Sequence, residues 1–159
     1  MSNKSISISG QPANRRAVLR GAVWAGAGLL VRPMASAAEG DLAAAIRAFT
    51  GGATAGFGKV QLEIAPLVEN GNAVPITVNV ESLMTAADHV QRIAVFNERN
   101  PQRDVAVFTL GPRAGRARVS TRIRLATSQR LVAVAQMGDG TYWQHGVDVI
   151  VTLAACVES

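Results

Sequence analysis

Apolar residues recur at every second position through much of this chain. In KVQLEI, Val60, Leu62 and Ile64 fall on one side and polar residues on the other, and period-two segments return in VPITVNVE, RIAVF, VAVFTL, ARVSTRIRL, RLVAVAQM and VDVIVTL. Side chains of an extended strand alternate between faces, so each segment buries one face and wets the other. Asp139-Gly140, set between two such runs, is a hairpin-turn pair. Short strands with turn residues at this spacing predict an all-β fold, an immunoglobulin-like antiparallel β-sandwich. The length, 159 residues, fits one domain. A single short amphipathic helix is expected in GDLAAAIRAFTGG, with Asp41 as N-cap and a stop at Gly51-Gly52. The glycines that follow, in GGATAGFGK, read as a flexible link to the first strand.

The formal charge of +5 is unevenly distributed. Five of the sixteen basic residues precede Glu39, and all eleven acidic residues lie at or beyond it. The stretch before Glu39 has the parts of an export leader: paired Arg15 and Arg16, an apolar run from about Gly21 to Val31, and the small-residue site Ala35-Ser36-Ala37. The arginine pair points to the twin-arginine route, hence a periplasmic protein. The apolar run falls short of the roughly 20 residues a membrane span needs, so no stable membrane anchor is expected. Residues 1–37 are read as the signal peptide, 38–153 as the sandwich and 154–159 as a C-terminal extended arm. After cleavage at Ala37, eleven basic residues balance eleven acidic ones. That neutrality and the scarcity of aromatics argue against a nucleic-acid partner.

One predicted strand is unusually basic. In RARVSTRIRL, Arg116, Arg118, Arg122 and Arg124 share one face, while Ala117, Val119, Thr121, Ile123 and Leu125 share the other. Six arginines and no acid lie between Arg113 and Arg130. Such a face requires water, carboxylates from a neighbouring strand or an acidic partner, which makes it a solvated outer surface or a docking face.

Familiar catalytic constellations are missing. His89 and His145 are the only histidines, and neither HxxxH nor CxxC occurs, so no metal site and no cofactor are expected. GGATAGFGK is not a phosphate loop, since Ala53 stands where Gly58-Lys59 would require glycine and Val60 replaces the Ser/Thr. A dyad of Cys156 with His145 lacks an evident third group to orient it. The lone thiol therefore poses its own question. Cys156 lies three residues from the end of the sequence, and in an oxidising compartment it has no partner within its chain. It is a buried structural thiol, the site of an intermolecular disulfide, or a functional group on an exposed chain end. Cysteine fourth from the end outlines a prenylation box, but Glu158 occupies an aliphatic position and the leader does not fit.

MTAADHVQRIAVFNERNP, followed by VSTRIRLATSQRLVAVAQMGDGTYW and a cysteine-bearing end, resembles the SoxY family, from about residue 42 onward. Asn100-Pro101, Ser120-Thr121-Arg122-Ile123-Arg124 and Asp139-Gly140 carry the likeness. The resemblance implies a non-catalytic sulfur carrier of the periplasmic thiosulfate-oxidising system, paired with a SoxZ-like subunit. Cys156 would hold the sulfur compound covalently while client enzymes attach, oxidise and hydrolyse it. An immunoglobulin-like assembly module whose cysteine forms an intermolecular disulfide is the alternative.

The likeness is weakest around the thiol. Where the family ends in Gly-Gly-Cys-Gly-Gly, this chain has Ala154 and Ala155 before Cys156 and Val157 and Glu158 after it. That pattern resembles a divergent group with an Ala-Ala-Cys-Ile-Glu arm. Alanine narrows backbone freedom by roughly 0.4–1 kcal/mol per residue, stiffening such an arm. Four extended residues beyond the last strand would still reach about 13 Å. Ala155 and β-branched Val157 add bulk beside the sulfur, and Glu158 with the terminal carboxylate disfavours a thiolate and repels anionic cargo. The arm is thus expected to suit clients shaped differently from those of a glycine-framed arm.

Overall fold

Alternation becomes two facing sheets in the computed structural model, which describes residues 34–155. The strands are β1 (Ala55–Gly56), β2 (Val60–Glu63), β3 (Leu67–Val68), β4 (Val74–Val80), β5 (Val90–Asn97), β6 (Asp104–Thr109), β7 (Arg118–Ile123), β8 (Gln129–Met137) and β9 (Tyr142–Val151). One sheet runs β1-β9-β8-β5-β6, with β3 also on β9, and the other runs β2-β4-β7. Each predicted strand is present, and alternate residues such as Val60, Leu62, Ile76, Val78, Ile93 and Val95 fill the space between the sheets. The β8–β9 hairpin turns at Asp139-Gly140, with Gly140 at φ +84. Asp139 Oδ1 accepts the Thr141 N–H at 2.8 Å and its hydroxyl at 2.7 Å.

The sandwich is antiparallel apart from two short ladders that alternation could not signal. β1 and β3 each pair in parallel with the same edge of β9, at Ala55↔Tyr142 and Leu67↔Ile150, while β2 between them crosses to the other sheet. Part of the expected flexible link is therefore ordered. Gly56 lies so close to the Trp143 ring that a Cβ there would stand 3.1 Å from it, and Lys59 Nζ sits 4.9 Å from the ring centroid.

The helix, α1, spans Met34–Thr50, so Asp41 is not its N-cap. Ala-rich sequence before Asp41 favours helix, which carries the start upstream. Asp41 instead faces solvent inside the helix and accepts a hydrogen bond from Arg103 Nη2 at 3.0 Å. The predicted cleavage point after Ala37 falls within α1. The stop is as expected: Gly51 adopts φ +63, and the Gly52 N–H returns to the Arg47 carbonyl at 3.0 Å.

α1 covers the outer face of the larger sheet. Leu42, Ala45, Ile46 and Phe49 pack on Ala94, Phe96, Val132 and Val134. β5 and β8 are consequently buried on both faces, which is why RIAVF and LVAVA are nearly continuous apolar runs. Among the described residues no helix is long and apolar enough to cross a membrane.

Candidate functional site

Ser120 and Thr121 lie on β7 with Arg118 and Arg122, and the parity expected for this strand holds. Arg116, Arg118, Arg122 and Arg124 are all exposed, while Ala117, Ile123 and Leu125 are buried. Arg118 and Arg122 stand opposite Asn79 and Pro75 of β4, and Ser120 shares a 2.8 Å hydrogen bond with Thr77. Among the described residues no carboxylate lies within ion-pair distance of these four arginines. The basic stripe faces water.

The arginine stripe leads to Leu125, and Leu125 leads to the chain end. β9 closes at Val151, where Ser128 Oγ accepts the Val151 N–H at 2.9 Å. Beyond it the chain continues to bond. Thr152 N–H donates to Val68 O at 3.0 Å, Leu153 N–H to Glu69 O at 3.2 Å, and Gly71 N–H to Leu153 O at 2.8 Å. Leu125 N–H donates to Gly71 O at 2.9 Å, and Ala155 N–H to Leu125 O at 3.1 Å. Three segments are thus joined backbone to backbone around Gly71. A Cβ on Gly71 would collide with the Leu125 carbonyl oxygen and stand 3.0 Å from Ala155 N. The close approach requires glycine.

This geometry changes the expected arm. Ala155 is only 5% exposed and hydrogen-bonded, so the chain is held to the body up to that residue, not free from β9 onward. Ala154 and Leu153 are exposed, and with Leu67 and Ile150 the latter gives the neighbouring surface an apolar character. Cys156, Val157 and Glu158 lie outside the described residues, as do Arg15, Arg16 and the rest of the predicted leader up to residue 33.

The Leu125 segment is itself held by side chains that sequence reasoning did not assign a role. Asn100 Nδ2 donates to Arg124 O at 2.8 Å, and its Oδ1 accepts the Ala126 N–H at 3.1 Å and Gln129 Nε2 at 2.7 Å. Gln129 Oε1 accepts the Arg99 N–H at 2.8 Å, and Asn97 Oδ1 accepts the Asn100 N–H at 3.1 Å. Asn97 and Gln129 are buried, and buried amides demand such partners. Asn100-Pro101 and the β7–β8 region, two parts of the family likeness, therefore meet at the loop that grips Ala155.

The histidines do other work. His145 Nδ1 accepts the Leu62 N–H at 3.0 Å, linking β9 of one sheet to β2 of the other. From there to Val151 lie about 20 Å of extended strand, at ~3.3 Å per residue. His89 packs its ring against Gly138. A cleft of about 440 Å³ between Lys59, Gln61, Glu81 and His145 opens at this far part of the sandwich. Among the described residues no group of three or more His, Cys, Asp or Glu side chains could hold a metal ion.

The family model described as "Sulfur oxidation protein SoxY" matches residues 46–156 and has Cys156 as its last matched residue. The chain belongs to the SoxY family. No curated protein matches it. The solved structure of the sulfur carrier protein SoxY from Chlorobium limicola f thiosulfatophilum is similar at 30% identity, covering 72% of this chain and 94% of that one with a TM-score of 0.61. Superoxide reductase (neelaredoxin) from Ignicoccus hospitalis is 17% identical over 59% of this chain and 80% of that one, TM-score 0.53. A putative superoxide reductase from Thermotoga maritima is 20% identical over 65% and 89%, TM-score 0.51. These two likenesses show a shared sandwich fold. The SoxY match runs through the β5–β6 and β7–β8 segments that grip the chain end.

Proposed function

We propose that this chain is an exported sulfur-carrier subunit, not a catalyst, that holds a sulfur compound covalently on Cys156 and presents it to client enzymes. Membership of the SoxY family and likeness to a SoxY sulfur carrier support a carrier role in sulfur oxidation. The observation that carries the reading is that the family match reaches Cys156, the chain's only cysteine. A SoxZ-like subunit is the expected partner in a heterodimer, and the face of Arg116, Arg118, Arg122 and Arg124 is its candidate docking surface. Twin-arginine export through Arg15 and Arg16 would carry the folded pair to the periplasm, since that route moves folded cargo. No metal and no cofactor enter this scheme.

Intact mass of the protein from its native periplasm, before and after reductant, tests the proposal. A small reducible adduct mapped to Cys156 is the expected result. A mass of twice the chain that halves on reduction overturns it in favour of a disulfide-linked assembly module. Turnover by the isolated protein without an adduct overturns it in favour of a thiol enzyme.

A further inference from the structure

The smaller sheet ends on an open strand. Among the described residues β7 has β4 beside it on one side and no strand on the other. The ladder decides which backbone groups are left over. The Val80 N–H donates to Ala117 O at 2.9 Å, so Ala117, Val119, Thr121 and Ile123 turn their N–H and C=O groups toward β4, and Arg118, Ser120 and Arg122 turn theirs away. Pro75, which has no N–H to give, stands opposite Arg122 in a pair that exchanges no bonds. Past this stretch the edge is closed, because Asn100 Nδ2 donates to Arg124 O at 2.8 Å. From Arg118 to Arg122 the outward backbone groups have no partner among the described residues.

The two faces flanking that edge define what could fill it. On the outer face, exposed Arg118 and Arg122 flank Ser120, and among the described residues no carboxylate lies within ion-pair distance of either. Glu63, on the same face of the sheet, is held by Asn79 Nδ2 at 2.6 Å. Toward the core, Val119 is only half-buried, as are Val105, Phe108 and Leu110 in and after β6, although all four pack on the apolar cluster. β6 is the edge of the larger sheet, and because His145 of β9 holds Leu62 of β2, β7 lies on the β6 side of the sandwich. A further strand there would cover apolar residues with one face and meet arginines with the other.

We propose that the open edge of β7 takes up an extended acidic segment of a partner protein as an added strand, with carboxylates opposite Arg118 and Arg122 and alternate apolar side chains toward Val119. Arg118, Ser120 and Arg122 would each exchange two backbone bonds with it, about six in all. A second copy of this chain does not fit. Antiparallel pairing about Ser120 sets Arg118 of one copy against Arg122 of the other, and like charges directly opposite repel. The inference deepens the docking role given to the arginine face, and rests on the carrier reading only for which partner docks.

The test uses the full chain and a peptide of about ten residues in which glutamate alternates with valine or threonine. In the chain alone, the amides of Arg118, Ser120 and Arg122 should exchange at least about tenfold faster than those of Val119 and Thr121, and about 1 mM peptide should slow them. N-methylation at the glutamates, whose N–H groups would face β7, should weaken binding at least about tenfold; at the valines and threonines, whose N–H groups face away, the change should stay within about threefold. Arg118→Gln combined with Arg122→Gln should weaken binding at least about tenfold at low salt. Absence of protection at those three amides overturns the proposal. Equal effects of the two N-methylation patterns overturn it in favour of charge attraction alone. Protection of the same amides at raised chain concentration, without peptide, overturns it in favour of a second copy. Should the double variant fail to fold, the methylated peptides still decide on the parent chain. Loss of the carrier reading would appear instead as absence of an adduct in the native protein, with the peptide result unaffected.

Discussion

Asn100 shows how much one side chain can organise. Its amide satisfies Arg124 O, the Ala126 N–H and Gln129 at once, fixing the loop that presents Leu125 to the chain end. Replacing it with alanine leaves those groups without their partner, and should lower unfolding free energy by about 2 kcal/mol. Asn100→Asp keeps both acceptor bonds but turns a carboxylate oxygen toward Arg124 O in place of the donor, so its loss should be at least as large at neutral pH. Urea denaturation of both variants, with an unchanged slope, is the measurement; a clearly smaller loss in Asn100→Asp would show that the two acceptor bonds carry the effect and the Arg124 contact little of it. Asp139 allows a second check at this scale. Donation by the Thr141 N–H, then by its hydroxyl, holds this carboxyl below the ordinary aspartate value of 3.8. The folded-state pKa is depressed, so the associated stabilisation is present above the unfolded value and disappears as pH falls through the folded one. Carboxyl NMR titration should place Asp139 below 3.8, and Thr141→Val should raise it only in part because the backbone donor remains. A full return to the ordinary value would assign the effect to the hydroxyl.

Among elements, α1 does more than precede the sandwich. Phe49 makes edge contacts with Phe96 at 5.8 Å and Tyr142 at 6.1 Å, and Arg92 sits 4.6 Å over its ring. Phe49→Ala should cost about 3 kcal/mol, read as a lower thermal midpoint and as faster amide exchange in α1 than in β5. Uniform acceleration across the sheet would instead mean that α1 and the sandwich open together. What could be read in advance follows from where side chains carry the signal. β2, β4 and β7 have one wet face and announce themselves by alternation, and the four outward arginines of the β7 region obeyed the same parity. Two-residue ladders such as β1 and β3 have no period to detect. The N-terminus of α1 was misplaced because Asp41 has the chemistry of a cap, while the alanines before it carry the helix onward without a marker. Pinning of the chain end was hidden for a different reason: backbone groups make those bonds, and any residue supplies them. Gly71 was the sole side-chain clue, and a glycine in ENGN reads first as a turn.

Across the whole molecule, charge and the chain end converge. Arg118 and Arg122 line the outer face of the smaller sheet, and Arg124 immediately precedes the residue that holds Ala155. The three segments joined at Gly71 therefore bring a cationic stripe toward Ala155, from which the chain continues to Cys156 and the acidic Glu158. A field of this sign attracts anions approaching that end of the sandwich and opposes the repulsion that the charge of Glu158 contributes. Neutralising Arg122 and Arg124 together as glutamines should slow the reaction of the thiol with a dianionic aromatic disulfide by roughly three- to tenfold, while leaving a neutral pyridyl disulfide nearly unaffected. The ratio of the two rates cancels any change in thiol ionisation or access common to both reagents. Raising salt to about 1 M, where the Debye length falls to about 3 Å, should erase the difference between parent and variant. Folding should not suffer, because among the described residues these arginines have no carboxylate partner to lose, and relief of mutual repulsion acts in the stabilising direction. A rate ratio that the double variant leaves unchanged at low salt would remove the stripe from the chemistry of Cys156 and leave it to partner docking alone.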